Sequence, residues 1–252
     1  MPRTRIAIIT GAGGSLGGAL AKKLDRRGIS LILVDNNLQA LLDVTSQLKN
    51  KHHTLCYDLS NPEELRCVIR LISNRLIKKK THYVDYLFNV AGLGGYANSE
   101  YVSEQMWDRV INVNLRAPFL LTKNLIPELS LAKRPRAKNP LVINFGSGMG
   151  IMTAKDRVAY CASKFGLRGM SLTLSKEFRE KKIDVVLLTL GSIMTNFGTG
   201  GLAYRKEQEK LGKKYLSITE VIKLVLTIMS SKKRKAEYSL YPKGYKEEHG
   251  KV

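Results

Sequence analysis

Cysteine is scarce in this sequence. There are three, Cys56, Cys67 and Cys161, an odd number with no C-x-x-C spacing. That excludes a disulfide framework and a thiolate zinc site, and it suits a reducing, cytoplasmic setting. The four histidines form no H-x-x-x-H pair, so no catalytic metal is expected. No apolar run reaches the roughly 18 residues that a membrane-spanning helix needs, so no span is expected. Arg3-Thr4-Arg5 followed by Ile6-Ala7-Ile8-Ile9 opens like a signal peptide, but the apolar run breaks at Thr10-Gly11. That is too soon for a signal's apolar segment, and the stretch reads as a first β-strand. Acid is in short supply too: 21 Asp and Glu stand against 42 Lys and Arg, a formal net charge of +21. Such a field concentrates anionic ligands and surfaces. An anionic substrate or an acidic carrier comes within scope, beside the plain alternative of a generally basic surface. The aromatic-interleaved basic stretch of single-strand binders is missing, so nucleic acid is not the expected partner. Internal repeats and low-complexity segments are also missing.

What is present is alternation. Short apolar runs rich in β-formers fall at Arg5–Thr10, Ser30–Asp35, His53–Tyr57, Val84–Asn89, Leu141–Phe145, Asp184–Thr189 and, more weakly, Tyr238–Tyr241. Helical patterns lie between them: Ser15–Arg27, closed by Gly28; Leu38–Lys49; Pro62–Lys78, with Asn61 as N-cap; Ser103–Leu131; Arg157–Lys181; and Thr219–Ser230. Pro118 and Pro127 are expected to bend or break the fourth. Strands alternating with helices make βαβ units and a parallel sheet. Several strands are nearly all apolar, as expected when helices cover both faces. The predicted fold is α/β, a doubly wound, three-layer Rossmann-type sandwich around a largely parallel seven-stranded sheet, forming a single domain over residues 1–252. Two basic runs punctuate it. Lys78-Lys79-Lys80 closes a helix, where positive charge suits the dipole. Lys232-Lys233-Arg234-Lys235 reads as a solvated connector rather than an import signal.

The first strand runs into Thr10-Gly11-Ala12-Gly13-Gly14-Ser15-Leu16-Gly17-Gly18, and a helix follows. A pyrophosphate needs backbone N–H groups at close range and the positive end of a helix dipole. Side chains in the turn would block that approach, which explains the glycines. A ligand-free tight turn would need the same glycines; the strand–turn–helix context favours the phosphate. Asp35 ends the second strand, 18 residues after Gly17. An acid there can hold the adenosine ribose hydroxyls and would repel a 2′-phosphate. Asn36 and Asn37 follow, with no arginine beside them, so NAD(H) is favoured over NADP(H). Asp35 also suits a turn or a helix N-cap.

Tyr160-Cys161-Ala162-Ser163-Lys164 places a phenol and an ammonium at i and i+4, on one helix face. The ammonium is expected to lower the phenol pKa and make Tyr160 usable for proton transfer near neutrality. Alone, such a pair is often just a surface feature.

Together with the glycine turn, the pair resembles the short-chain dehydrogenase/reductase family, over nearly the whole chain. The resemblance implies a NAD(P)(H)-dependent oxidoreductase that interconverts a carbonyl and an alcohol. In it, Gly11, Gly14, Ser15, Leu16 and Gly17 form the cofactor turn, and Asp58, with Leu59, contacts the adenine. Asn89, Ala91 and Gly92 match the Asn-x-Ala-Gly turn. Asn114, Ser147, Tyr160 and Lys164 fill the four catalytic positions in order, with Ser147 13 residues before Tyr160. Gly191, Ile193 and Thr195 match the segment that holds the nicotinamide amide. By the same resemblance Ser147 orients the carbonyl, Tyr160 is the general acid/base, Lys164 holds the ribose, and Asn114 anchors a water. The chain departs from the pattern at three places. Ser15 stands where glycine is usual, Gly146 replaces a common serine, and Leu190 replaces a proline, which is expected to loosen the loop after it. A dinucleotide-binding sensor or scaffold without turnover is the alternative.

A substrate lid is expected at about 191–216. Gly198, Gly200 and Gly201 permit movement. Arg205, Lys206, Lys210, Lys213 and Lys214 follow, and Arg134, Arg136, Lys138, Arg179, Lys181 and Lys182 add clusters near helix ends. Family members that act on carrier-bound acyl groups dock an acidic carrier through basic residues in these regions; solvated lysines are the plain alternative. The resemblance also implies a homodimer or homotetramer, paired through the two long helices.

Overall fold

The computed structural model describes residues 4–78, 83–130, 139–198 and 200–244. Seven strands form one sheet in the order β3-β2-β1-β4-β5-β6-β7. They are β1 (Ile6–Thr10), β2 (Ser30–Asp35), β3 (His52–Cys56), β4 (Tyr86–Asn89), β5 (Leu141–Phe145), β6 (Asp184–Leu190) and β7 (Glu237–Leu240). Every pairing is parallel. The strand order reverses between β1 and β4, which opens a crevice at the carboxyl ends of those strands. Thr10 and Asn89 face each other in register at its lip.

Alternate residues of each strand feed different cores. Ala7, Ile9, Leu31, Leu33, Phe88 and Ile143 pack with helices α1 (Ser15–Asp25), α2 (Leu38–Thr45) and α9 (Ile218–Ser230). Ile6, Ile8, Ile32, Val34, Leu87 and Val142 pack on the other face, with helices α3 (Pro62–Lys78), α5 (Ala117–Asn124) and α7 (Val158–Glu177). Burial on both faces accounts for the unbroken apolar character of the central strands.

The helix limits follow local chemistry. Asn61 accepts from the Glu63 and Glu64 N–H groups and starts α3. Ser217 and Glu220 form a reciprocal capping box on α9. Helix α2 stops at Thr45 rather than Lys49 because the buried Asp25 carboxylate takes the Lys49 and Asn50 N–H groups, each at 2.9 Å. Burial opposes that charge, but those hydrogen bonds prevail and hold the carboxyl below its usual range. Helix α7 stops at Glu177 rather than Lys181, and Lys182 adopts φ +53 on the way into β6. The long pattern from Ser103 breaks at its prolines. It becomes α4 (Glu104–Ile111), a π-helical turn (Asn112–Arg116), α5 with Pro118 in its first turn, and α6 (Ile126–Leu129) holding Pro127.

The connector at Lys232–Lys235 is not wholly solvated. Arg234, its side chain 3% exposed, ion-pairs with Asp184 at 2.6 Å. It also donates to the Ile228 and Met229 carbonyls, capping the end of α9. Lys79 and Lys80 lie outside the described residues. No helix among the described residues is long and apolar enough to cross a membrane.

Candidate active site

At one end of the crevice the chain comes too close to itself for side chains. Gly11 has φ +66, and a Cβ there would sit 2.8 Å from Ala91 backbone atoms. A Cβ on Gly17 would lie 2.0 Å from the Gly11 carbonyl oxygen. The turn therefore packs against the end of β4 and the start of α1. Thr10 fastens this junction, its Oγ1 accepting from the Ala91 N–H at 3.2 Å. Gly14 is the α1 N-cap and offers no side-chain cap, so the N–H groups of Ser15, Leu16 and Gly17 point out of the helix uncovered by a side chain. Such a start, at the positive end of an 11-residue helix, is chemically able to take an anion. Ser15 is exposed at its rim.

Asp35 sits beside this turn. Its carboxylate accepts from Gly13 N–H at 2.9 Å and from Asn37 N–H at 3.0 Å. The helix cap is Asn37, not Asp35. Asp58 is a turn-former here, accepting from Ser60 N–H at 2.8 Å, while Leu59 is core. Asn89 donates to the Asn144 side chain at 2.7 Å, and Asn144 donates to Ser171 Oγ at 2.9 Å, tying β4, β5 and α7 together. The Asn89 Oδ1 is buried and has no partner among the described residues.

Further along the crevice the four residues predicted to carry the chemistry converge. Ser147 follows β5, Tyr160 and Lys164 lie on one face of α7, and Asn114 sits in the π-helical turn. Tyr160 is 7% exposed, and the Ser147 side chain, whose Oγ accepts from Met149 N–H at 3.2 Å, lies close enough to its phenol to favour the ionised form. The Lys164 Nζ lies 5.6 Å from the Tyr160 ring and donates to the Phe145 carbonyl at 2.9 Å. Asn114 is fixed by protein partners. Its Oδ1 accepts from Leu93 N–H, and its Nδ2 donates to Leu93 O and Ser163 Oγ. Ser163 in turn donates to the Tyr160 carbonyl at 2.7 Å. A Cβ on Gly92 would lie 3.4 Å from Asn114 Oδ1 and 3.9 Å from Lys164 Nζ, so the Asn-x-Ala-Gly turn borders the same space.

The expected lowering of the tyrosine pKa is not what the structure has. Burial, then the neighbouring Tyr96, pushes the Tyr160 phenol above its usual value, against the weaker pull of Ser147 and Arg157. Burial also pushes Lys164 down, to about 8. The same desolvation disfavours both charged forms, and the ammonium faces a carbonyl rather than the phenolate.

The segment after β6 is more ordered than its composition suggests. Leu190 is buried and in register with Leu240, so leucine extends the β6–β7 ladder instead of loosening it. Gly191 lies against Pro242 and Tyr241. Ile193 bridges Leu216, closing the base of the lid region. A helix missed in the sequence, α8 (Gly201–Lys210), fills it. Arg205 is not available to an anionic ligand: it donates to the Thr195 carbonyl at 2.9 Å and to the Phe197 carbonyl. Lys213 stacks over Tyr215. Arg179, Lys181 and Lys182 lie beyond the far end of α7, whose C-cap Phe178 is about 27 Å along the helix from Tyr160, at the opposite edge of the sheet. Arg134, Arg136 and Lys138 lie outside the described residues.

Sequence reasoning missed the aromatic wall. Tyr96 meets Tyr160 edge-on with centroids 5.6 Å apart, and Phe197 stands 6.1 Å from the Tyr160 ring. Arg157 lies over the Tyr96 ring at 4.5 Å. Met149 and Met152 complete this apolar cluster. The signal was present in Gly94 and Gly198. A Cβ on Gly94 or Gly198 would meet the Tyr96 ring at 2.9 Å.

A family model described as short chain dehydrogenase matches residues 5–202. The chain belongs to the short-chain dehydrogenase family. It is thus an oxidoreductase that interconverts carbonyl and alcohol groups with a nicotinamide dinucleotide. Among curated short-chain relatives, a 3-oxoacyl-(acyl-carrier-protein) reductase of Buchnera aphidicola subsp. Schizaphis graminum is 27% identical, covering 91% of this chain and 91% of its own. The same-named reductase of Rickettsia typhi is 31% identical, over 76% of this chain and 74% of its own. Among solved structures, a 4-hydroxyisoleucine dehydrogenase complexed with NADH superposes with a TM-score of 0.82 at 24% identity, covering 96% and 98% of the two chains. A metagenomic short-chain oxidoreductase in complex with NADP gives 0.75 at 24% identity, over 94% and 97%.

Proposed function

We propose that this protein is an NADH-dependent reductase of an acyl thioester ketone, with Ser147, Tyr160 and Lys164 as the chemical set. The observation that carries the proposal is the convergence of these three side chains, beside Gly92, at the carboxyl edge of the sheet. The glycine turn fits a dinucleotide, since a Cβ at Gly11 or Gly17 would fill the approach and the first turn of α1 has no side-chain cap. Gly11, Gly14, Ser15, Leu16 and Gly17 would hold the pyrophosphate, Asp35 the ribose hydroxyls, and Asp58 and Leu59 the adenine side. Asn89, Ala91, Gly92, Gly191, Ile193 and Thr195 would border the nicotinamide half. When bound, the nicotinamide supplies or accepts the hydride.

The chain's own residues do the rest. Ser147 Oγ orients the substrate carbonyl oxygen. Tyr160, kept protonated by its burial, delivers its proton to that oxygen. Lys164, reachable from Gly92, would steady the ribose, and the phenolate left on Tyr160 takes its proton back from solvent through the water that Asn114 would anchor. Asn114 has three of its four hydrogen-bonding positions committed to Leu93 and Ser163, so it holds the π-helical turn against α7. One acceptor position remains for a water.

Two considerations support the substrate class. Tyr96, Phe197, Met149 and Met152 give Tyr160 an apolar surround suited to an acyl chain, and the curated relatives act on 3-oxoacyl groups held on a carrier. Exposed Trp107, Phe119, Val158 and Phe165, on α4, α5 and α7, support pairing of two copies through these helices. The free cysteines suit a reducing cytoplasm.

The test is steady-state oxidation of NADH and NADPH with an acetoacetyl thioester, alongside free ketones, quinones and sugars. The expected result is a thioester preference and a kcat/KM at least about tenfold higher with NADH, the equivalent of ~1.4 kcal/mol of repulsion at Asp35. Asp35→Ser should close that gap. Better turnover with NADPH overturns the cofactor assignment. NADH binding without turnover on any carbonyl overturns the enzymatic reading of the site.

A further inference from the structure

Away from the crevice, helices α1 and α9 run side by side on one face of the sheet and leave a groove of about 670 Å³ between them. Its floor is apolar: Ala19 from α1, and Ile218, Ile222 and Leu226 from α9. Its walls carry Lys22, Lys23, Arg26, Arg27 and Lys223. No acid lines it. The acids of the two helices are committed elsewhere, Asp25 to the backbone of Lys49 and Asn50, and Glu220 to the Ser217 cap. Lys22 and Lys23 lie in the last turn of α1, and Arg26 and Arg27 follow directly, at its C-cap and in the turn after it, so four cations line one side of the groove. None of these residues takes part in the chemistry proposed above.

We propose that this groove docks an acidic amphipathic helix of a protein partner. An apolar floor wants the apolar stripe of a helix, and a wall of cations wants acidic flanks. Both requirements are met at once by a helix with leucines on one face and glutamates beside them. Nucleic acid answers the charge but not the floor, and the lining has no aromatic ring on which a base could stack. A second copy of this chain, docked about a two-fold axis, would bring the same cations against each other. The far end of the groove, at Arg27 and Ser230, lies at the sheet edge opposite the crevice. A partner held there leaves the substrate entrance open.

The test uses the whole chain and four probes, followed by fluorescence anisotropy at low salt. The first is a labelled peptide helix of about four turns, leucines on one face and glutamates on both flanks. The others are its sequence-scrambled counterpart, a duplex DNA of matched charge, and phosphatidylglycerol vesicles. The expected result is saturable binding of the amphipathic peptide, with the other probes at least about tenfold weaker. The double variant Lys23→Glu/Arg27→Glu changes exposed side chains only and should weaken that peptide by at least about tenfold, with an unchanged unfolding midpoint. Several outcomes overturn the proposal: equal binding of the scrambled peptide, the DNA or the vesicles; no binding of the amphipathic peptide; or an affinity indifferent to the charge reversal. A sedimentation coefficient that shifts on charge reversal alone would also overturn it, by assigning the groove to a second copy. Each readout is independent of reductase turnover.

Discussion

Gly11, Gly13 and Gly17 shape one end of the crevice by lacking side chains; Tyr96, Tyr160 and Phe197 shape the other by packing their rings edge-on and tilted. At the proposed dinucleotide end the groups on offer are backbone N–H groups and a helix terminus, held by close packing of the chain on itself. At the chemical end they are side-chain hydroxyl, amide and ammonium groups, held by hydrogen bonds between neighbours and by burial. The first kind of site tolerates no added atom, and the second no lost one. A single substitution should therefore fail differently at the two ends, and that difference can be measured.

The largest effect is expected at the chemical end. Tyr160→Phe removes one oxygen, keeps the ring against Tyr96 and Phe197, and leaves the glycine turn untouched. It should lower kcat by about 10²- to 10⁴-fold, with NADH affinity unchanged in a fluorescence titration. A parallel loss of NADH binding would show that the two ends are not separable. At the dinucleotide end, Gly17→Ala adds one methyl where the nearest atom, a backbone oxygen, is 2.0 Å from the new Cβ. Backbone has to move, at a cost of about 1–3 kcal/mol. Both the unfolding midpoint and the NADH affinity should fall, with kcat at saturating NADH much less affected. If Gly17→Ala binds NADH normally, close backbone packing is not what builds this site.

The same division explains what could be read from the sequence. A backbone-built site leaves its mark locally, because the glycines sit within a few residues of one another and between a strand and a helix. The parallel sheet was legible for a related reason, since burial on both faces imposes long apolar runs such as Ile6–Thr10 and Leu141–Phe145. The Tyr160–Lys164 pair was legible because helical spacing is local. The aromatic wall was not: Tyr96 reaches Tyr160 across distant chain positions, and only the glycines that seat its ring hint at it. The role of Arg205 was misread for the same reason, because its carbonyl partners are exposed by a turn and not by composition. Helix ends were misplaced where a tertiary contact competes for the backbone, as Asp25 does at the end of α2.

The smallest predicted effect probes the electrostatics of the chemical end. Lys164 is 6% exposed and its pKa is pushed down to about 8 by burial, against about 10.4 for an unfolded chain. Below pH 8 both states carry the proton, and the folded state bears the full cost of a buried charge. Between about pH 8 and 10.4 the folded state gives up the proton first, so the unfolded state binds more protons and stability rises with pH. Lys164→Met removes this contribution. Wild type should therefore gain about 2 kcal/mol relative to the variant between pH 7 and pH 10, read from urea unfolding of the cofactor-free protein at each pH. Tyr160 titrates in both proteins and cancels from the difference. A pH-independent difference would mean that the ammonium is as well solvated when folded as when unfolded, and the contrast between a backbone-built end and a desolvated, side-chain-built end would lose its electrostatic half.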